Sequence, residues 1–481
     1  MPFSMQFLWY DLETFGRDPR RSRIAQFAAI RTDEHLEPIE EPISLLCRPA
    51  NDLLPSPGAC LITGITPQRA LREGLPEAEF AARIFEELSR PDTCVAGYNS
   101  LRFDDEFIRN LFYRDFFDPY EREWKNGNSR WDLIDTVRMA YALRPEALRW
   151  PLREDGAPGF RLEELSAANG LEHTQAHEAL SDVRATIGLA KKLKANAPKL
   201  FEYALALRDK RRALQLLDVA RMTPVLHVSQ KFPAIDGCAR LVLPICTHPR
   251  IDTRIVVCDL SEDPAPLLEL PPEDIACRLY TRREDLPEGI ARIGLKEVHA
   301  NRSPILIEPR HVTPEQFQRL HIDLARCEAH AQRLRTATGL AAKLRDVFGR
   351  QFTQDNIDPD LAIYAGFPAP GDKALFPHVR RRRGLPDKPE GFGFRDARFT
   401  ELAFRYRARN WPGTLTPTES GRWRDYRRIR LIETSGLSEL SFASYFAEVT
   451  GLRDSRRDEP AALALLDELE AWGVERQSEL C

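Results

Sequence analysis

Five side chains in this 481-residue chain could do chemistry together: Asp11, Glu13, Asp104, His177 and Asp182. Asp11 and Glu13 lie two apart in Trp9-Tyr10-Asp11-Leu12-Glu13-Thr14-Phe15-Gly16, behind the apolar lead-in Phe7-Leu8. That lead-in predicts a buried strand, and side chains two apart on a strand share a face. Neighbouring carboxylates repel unless a cation sits between them, and a hard divalent cation prefers oxygen ligands. With Asp104 and Asp182 the acids number four, enough to hold two Mg²⁺ ions about 3.5–4 Å apart, an arrangement suited to phosphodiester cleavage. His177 stands at the entry to the helix that carries Asp182. An imidazole with an ordinary pKa of about 6.5 can take a proton from an attacking water near neutrality. Singly, each residue has a plainer use: a strand end, a helix N-cap, a surface histidine, a solvated helix acid. Their order, and the kind of element each sits on, argue for one site.

The elements that must position them are legible in part. Strands are predicted over residues 5–11, 24–30, 43–47 and 94–98, with a short one at 131–135. Helical spacing of apolar residues predicts helices over 77–90, 104–116, 136–143, 162–169 and 176–196. Residues 55–58 and 63–67 read as loops. Ala197-Pro198 marks a boundary, followed by a helix to Leu216. Short β-type runs at 225–228, 239–244, 254–258, 277–280 and 305–307 then suggest a small barrel, and 313–347 returns to helix. Residues 352–383 form a transition rich in Pro, Gly and charge, and the chain is mostly helical from Phe394 onward. The expected domains are 1–197, 198–350 and 351–481, in keeping with a chain too long for one ordinary core.

The totals narrow the class. Apolar content is 43% and net charge is −4, so any footprint for nucleic acid must be local. No apolar run approaches the roughly 20 residues that span a bilayer, and the N-terminus lacks a secretion signal. No membrane partner is therefore expected, and the cytoplasm is the expected compartment. Nine scattered cysteines include no Cys-x-x-Cys pair and read as buried free thiols. The run Arg380–Arg383 reads equally as solvated loop or phosphate contact.

The motif order Asp11-x-Glu13-Thr14, Phe103-Asp104 and His177-x-Ala179-x-x-Asp182 resembles the exonuclease superfamily built on four acids and a histidine. Further stretches resemble bacterial exodeoxyribonuclease I: 97–106, 128–133, 141–146 and 404–415, so the resemblance covers nearly the whole chain. It implies an α/β exonuclease domain of RNase H-like fold, an SH3-like β barrel domain and a helical C-terminal domain. It implies 3′→5′ hydrolysis of single-stranded DNA to 5′-mononucleotides in DNA repair. Asp11, Glu13, Asp104 and Asp182 would be the metal ligands, and His177 the general base. Asp105 and Glu106 adjoin Asp104, and only the Phe-Asp motif selects the first of the three acids. Where many superfamily members carry His-Asn shortly before Phe-Asp, this chain has Tyr98-Asn99 and a longer gap.

By the same resemblance, Glu13, Arg109, Tyr120, Trp124, Arg138 and Arg161 would touch the strand. Guanidinium groups suit phosphates and aromatic rings suit base stacking. The interleaved arginines and aromatics of 405–410 and 422–428 suit a channel wall or a charged helix face. The family also docks the acidic C-terminal tail of single-stranded-DNA-binding protein, and Arg144, Tyr203, Lys296 and Arg335 match that role. Glu308 stands where the family has Gln, an extra negative charge facing an acidic peptide. Nothing in the chain demands an oligomer, so a monomer is expected. Two alternatives stay open from the motifs: an exoribonuclease using the same acids, and a scaffold that binds single strands without cutting them.

Overall fold

A computed structural model describes residues 5–171, 178–290, 292–350, 357–382, 391–433 and 435–480. The chain begins with β1 (Gln6–Thr14), β2 (Ile24–Thr32), β3 (Ile43–Leu46), α1 (Pro57–Thr63), α2 (Pro67–Glu73), α3 (Glu77–Leu88), β4 (Thr93–Gly97) and α4 (Asp104–Arg114). There follow β5 (Ser129–Asp132), α5 (Leu133–Leu143), α6 (Leu162–Ala168), α7 (Ala179–Asn196), α8 (Pro198–Ala206), α9 (Lys210–Leu216), β6 (Val225–Val228), β7 (Ala239–Thr247) and β8 (Arg254–Asp259). Next come α10 (Ala265–Glu269), α11 (Pro272–Tyr280), β9 (Leu295–His299), β10 (Ile305–Ile307), α12 (Pro314–Arg319), α13 (Leu324–Thr336) and α14 (Leu340–Phe348). The last helices are α15 (Pro370–Arg381), α16 (Ala397–Asn410), α17 (Pro417–Leu431), α18 (Phe442–Ser455) and α19 (Pro460–Ser478). Two units emerge: residues 1–129, 174–184 and 354–481 form one, and residues 130–173 and 185–353 the other.

In the first unit β1 lies between β2, its antiparallel neighbour, and β4, its parallel one. Leu8, Tyr10 and Leu12 point into a core shared with Phe27, Phe80, Ile84, Phe107 and Phe112. The alternate face carries Phe7, Trp9, Asp11 and Glu13, as the two-residue period requires. The strand runs three residues past its predicted end because the β2 ladder continues, pairing Asp11 with Ala28 and Glu13 with Gln26. A register shift follows between Glu13 and Thr14, after which Thr14 pairs with Ile24. Helix α4 opens on Asp104, Asp105 and Glu106, three acids at the positive end of the helix dipole.

The C-terminal helices belong to this same unit. Phe399, Leu402 and Tyr406 of α16 cluster with Tyr113 of α4 and with Phe116 just after it. Leu431, Tyr445, Leu466 and Leu469 cluster with Phe15, Ala25, Leu53 and Cys60. The two arginine-rich stretches differ: 405–410 turns largely inward, whereas in 422–428 Trp423 and Arg427 are buried and Arg422, Arg424 and Arg428 are exposed. Arg405, Arg407 and Arg427 are buried, as is Arg430 just beyond them, and the Arg409 side chain is 3% exposed. Arg405 and Arg409 share Asp360, Arg409 also pairs with Asp52, and the Tyr426 hydroxyl donates to Asp360 at 2.8 Å. The arginines hold the Asp360 carboxyl well below the usual range despite its burial. Arg380 likewise turns inward: it donates to the Phe116 carbonyl and stacks over Phe117 at 4.1 Å.

Other departures have local causes. Ser56 and Thr66 cap α1 and α2, each with Pro at the first helical position, so segments that read as loops start helices. Helix α15 occupies part of the predicted transition.

In the second unit, five antiparallel strands run in the order β10-β6-β7-β8-β9 over a core that includes Val225, Val242, Val257, Val298 and Leu306. Residues 277–280 are the end of α11, not a strand, and β9 supplies the edge strand instead. The predicted helix to Leu216 is two helices, the second capped by Asp209. The stretch 313–347 is three, restarted by the Asp323 cap and by Gly339 at φ +77°. Eight described cysteines are free thiols, all but Cys277 buried. Among the described residues no helix is long and apolar enough to cross a membrane.

Candidate active site

The first unit brings Asp11, Glu13 and Asp182 together, with one ligand oxygen of each within 4.8 Å of the others. The two β1 acids come from one face of the strand, and Asp182 from the first turn of α7. Glu13 is 8% exposed. Burial first, then Asp11, Asp182 and Glu178, push its carboxyl up to about 9. A group so placed holds its proton near neutrality until a cation offsets the neighbouring charge. An all-carboxylate donor set suits a hard divalent ion.

Asp104, buried at the start of α4, stands outside that three-residue cluster. Its two neighbours are committed elsewhere. Asp105 accepts from the Tyr10 hydroxyl at 2.7 Å and from Arg122 at 2.5 Å. Glu106 pairs with Arg109 at 2.8 Å and accepts from the Tyr364 hydroxyl. His177 lies outside the described residues. Glu178, next to it, was not singled out from sequence; its carboxylate accepts from the Ser181 N–H at 3.0 Å at the start of α7.

The residues matched to strand contact divide by environment. Trp124 is 64% exposed. Tyr120 meets Phe367 edge-on at 5.6 Å, and Phe367 is 82% exposed. Tyr364, also more than half exposed, joins them through Glu106. Sequence reasoning missed Tyr364 and Phe367; the available signal was two aromatics within a Pro- and Gly-rich segment, where burial is unusual. Arg109 is nearly buried. Its guanidinium binds both oxygens of Glu123, at 2.8 and 3.1 Å, and lies over Tyr120 at 5.3 Å. It therefore acts as a prop under the aromatic surface rather than as an open cation. In the second unit, Arg138 is buried against Asp135 at 2.6 Å and over the Phe160 ring, while the Arg161 side chain is 81% exposed.

Of the four residues matched to a protein partner, two come together. Arg144 and Tyr203 line a cavity of about 450 Å³ with Met139, Leu143, Ile307 and His311. The Tyr203 hydroxyl donates to Leu306 O at 2.8 Å. Lys296 lines a different cavity, where it contacts His227 Nε2 at 2.7 Å. Arg335 donates to Met222 O and pairs with Glu328. Glu308 pairs with Arg310 at 2.9 Å and His311 at 3.5 Å.

Comparison with known proteins matches three family models in sequence order. These are Exonuclease over residues 8–190, Exonuclease I SH3-like domain over 208–350 and Exonuclease I C-terminal domain over 357–476. Exodeoxyribonuclease I of Haemophilus influenzae is 42% identical over 472 residues, covering 97% of this chain and 98% of that protein. The crystal structure of Escherichia coli exonuclease I in complex with a dA16 oligonucleotide superposes with a TM-score of 0.92 at 42% identity, covering 98% of this chain and 100% of that one. The zinc-bound form of the E. coli exonuclease I–single-stranded DNA complex gives 0.90 at 42% identity, with 98% and 99% coverage. Similarity of this extent, through all three domains, shows that the chain is an exodeoxyribonuclease and belongs to the exodeoxyribonuclease I family.

Proposed function

We propose that this chain removes 5′-mononucleotides from the 3′ end of single-stranded DNA, with two Mg²⁺ ions held by Asp11, Glu13, Asp104 and Asp182. The observation that carries the reading is the convergence of Asp11, Glu13 and Asp182 within 4.8 Å in a chain whose relatives bind single-stranded DNA. When bound, such ions offset charge on the scissile phosphate and on the leaving oxygen. The protein's share is to hold the acids in one geometry. The β1–β2 ladder does this for Asp11 and Glu13, and the start of α7 for Asp182. His177 is the expected acceptor of the proton from the attacking water. Arg161 offers an exposed guanidinium to a phosphate, and Trp124, Tyr120, Tyr364 and Phe367 offer faces and edges for bases. The domains beyond the exonuclease fold favour a long DNA strand over a short RNA.

The Arg144–Tyr203 cavity supports a second part of the proposal. An apolar side chain with a terminal carboxylate, as at the end of an acidic tail, fits a pocket with Met139, Leu143 and Ile307 on its walls and Arg144 at its edge. The acidic C-terminal tail of single-stranded-DNA-binding protein is the occupant we propose. Repair of DNA in the cytoplasm is the setting we propose.

A 5′-labelled strand followed on a gel tests the main reading. Shortening from the 3′ end with Mg²⁺, but not with EDTA, is expected on single-stranded DNA and not on a matched RNA or duplex. Asp182→Ala should lower the rate by orders of magnitude while leaving strand binding largely intact. Equal rates on RNA and DNA, or near-normal turnover by the variant, would overturn it.

A further inference from the structure

The turn that leaves the metal-binding strand is held by a carboxylate from the far end of the chain. Glu439, between α17 and α18, accepts from the Arg17 N–H at 2.9 and 3.0 Å and from the Asp18 N–H at 3.2 Å. Those amides follow Glu13 by four and five residues, and lie just past the last β1–β2 pair, Thr14 with Ile24. Two further contacts grip the same turn from the same region. Arg21 Nε donates to Gly436 O at 2.6 Å, and Arg430 donates to Arg21 O at 3.2 Å. Residue 16 is cut to fit: a Cβ added at Gly16 would sit 2.2 Å from Glu439 Oε2 and 2.7 Å from Ser22 Oγ. A glycine is needed there so that the backbone can close on the carboxylate, since φ at Gly16 is not in the left-handed region.

We infer that Glu439 is a positioning residue for the nuclease site: it fixes the turn at residues 16–18 and, through it, the end of β1 that presents Glu13. This rests on the functional reading above. After the shift Thr14 still pairs with Ile24 and the Phe15 N–H donates to Arg23 O at 2.9 Å, but from Gly16 onward the chain's path is set by side-chain and turn contacts rather than by sheet pairing. Hydrogen bonds from backbone N–H to an ionised carboxylate are roughly twice as strong as neutral ones. Because a misplacement of about 1 Å can cost roughly 100-fold in rate, a short brace beside a ligand strand matters even at the surface. The brace also gives the C-terminal domain a part in the chemistry that its distance in sequence conceals.

The test uses the full-length chain with Glu439→Ala, Glu439→Gln and, as a control, Asp33→Ala. Asp33 makes a comparable clamp on the turn after β2, accepting from the His35 and Glu37 N–H groups, each at 2.9 Å. Hydrogen exchange of the Arg17 and Asp18 amides should accelerate about tenfold or more in Glu439→Ala. Its kcat should fall about tenfold while the Kd for single-stranded DNA stays within twofold. Glu439→Gln keeps an acceptor oxygen and should restore most of both. Asp33→Ala should leave kcat unchanged. An active wild type with an equally active Glu439→Ala, or equal losses in Glu439→Ala and Asp33→Ala, would overturn the positioning role alone. An inactive wild type would instead refute the nuclease reading, while the exchange data would still report whether the brace exists.

Discussion

Metal binding by this chain should displace a proton, and the structure says how many and over what pH range. Glu13 is pushed up to about 9 from an ordinary 4.5, by burial first and then by Asp11, Asp182 and Glu178. At pH 7 such a carboxyl is about 99% protonated, so a cation that takes it as a ligand releases about one proton. At pH 9 the release falls to about half a proton, and the apparent affinity rises about ninefold from pH 7 to 8 and about fivefold from pH 8 to 9, roughly 50-fold overall. Calorimetric titration of Mg²⁺ at pH 7, 8 and 9, in buffers of differing ionisation enthalpy, measures both quantities. The same shift fixes the stability of the chain in chelator. The folded state keeps its proton up to about 9 while the unfolded state loses it near 4.5, so this group's contribution is fully present below 4.5 and is lost as pH rises to 9. Mg²⁺ should flatten that loss. Asp182→Asn removes one of the charges that raise the Glu13 carboxyl, so it should reduce proton release at pH 7. No proton release at pH 7, together with affinity that does not change between pH 7 and pH 9, would refute the account of Glu13.

Two further outcomes are expected from side chains in the same unit. Asp360→Asn removes a fully buried charge shared by Arg405 and Arg409 and should destabilise the chain by about 3–5 kcal/mol, read as a lower urea midpoint. Trp124→Ala, at a residue 64% exposed, should weaken single-stranded DNA binding by about 1–3 kcal/mol without moving Tm, read by fluorescence anisotropy at fixed salt.

The site was legible where local pattern and chemistry coincide. Phe7 to Leu12 alternates between two buried faces, and that alternation alone places Asp11 and Glu13 side by side. The helix after Phe103 announces itself by Phe107, Ile108, Leu111 and Phe112. Among Asp104, Asp105 and Glu106 only the Phe-Asp motif distinguishes the first in sequence, because partners such as Tyr10 and Arg122 for Asp105 and Tyr364 for Glu106 lie far along the chain. Helices α1 and α2 were missed although Ser56-Pro57 and Thr66-Pro67 are helix starts, since each helix is only seven residues and carries little apolar period. The end of α11 read as a strand because Cys277-Arg-Leu-Tyr280 has β-type composition, while the start signal, Pro272 with Glu273 and Asp274, lies a turn earlier.

The arginine-rich stretches show where composition stops being informative. Arginine interleaved with tyrosine and tryptophan suits a nucleic-acid surface, and it equally suits a buried lattice if acids arrive from elsewhere. Here they do: Asp52 is 357 residues from Arg409, and Asp360 is 49 away. The same two residue types then serve opposite ends within one unit. Where arginines surround an acid, as at Asp52 and Asp360, its carboxyl is held below the usual range and serves to join helices α16 and α17 to the segment after β3. Where the charges acting on an acid are other acids, as at Glu13, its carboxyl is driven up. Replacing a buried ion lattice by apolar residues is often no less stable. Its use here is that charge pairing is directional. It sets the C-terminal helices in one register against the exonuclease fold, which is what a brace such as Glu439 requires in order to meet the turn beyond Glu13.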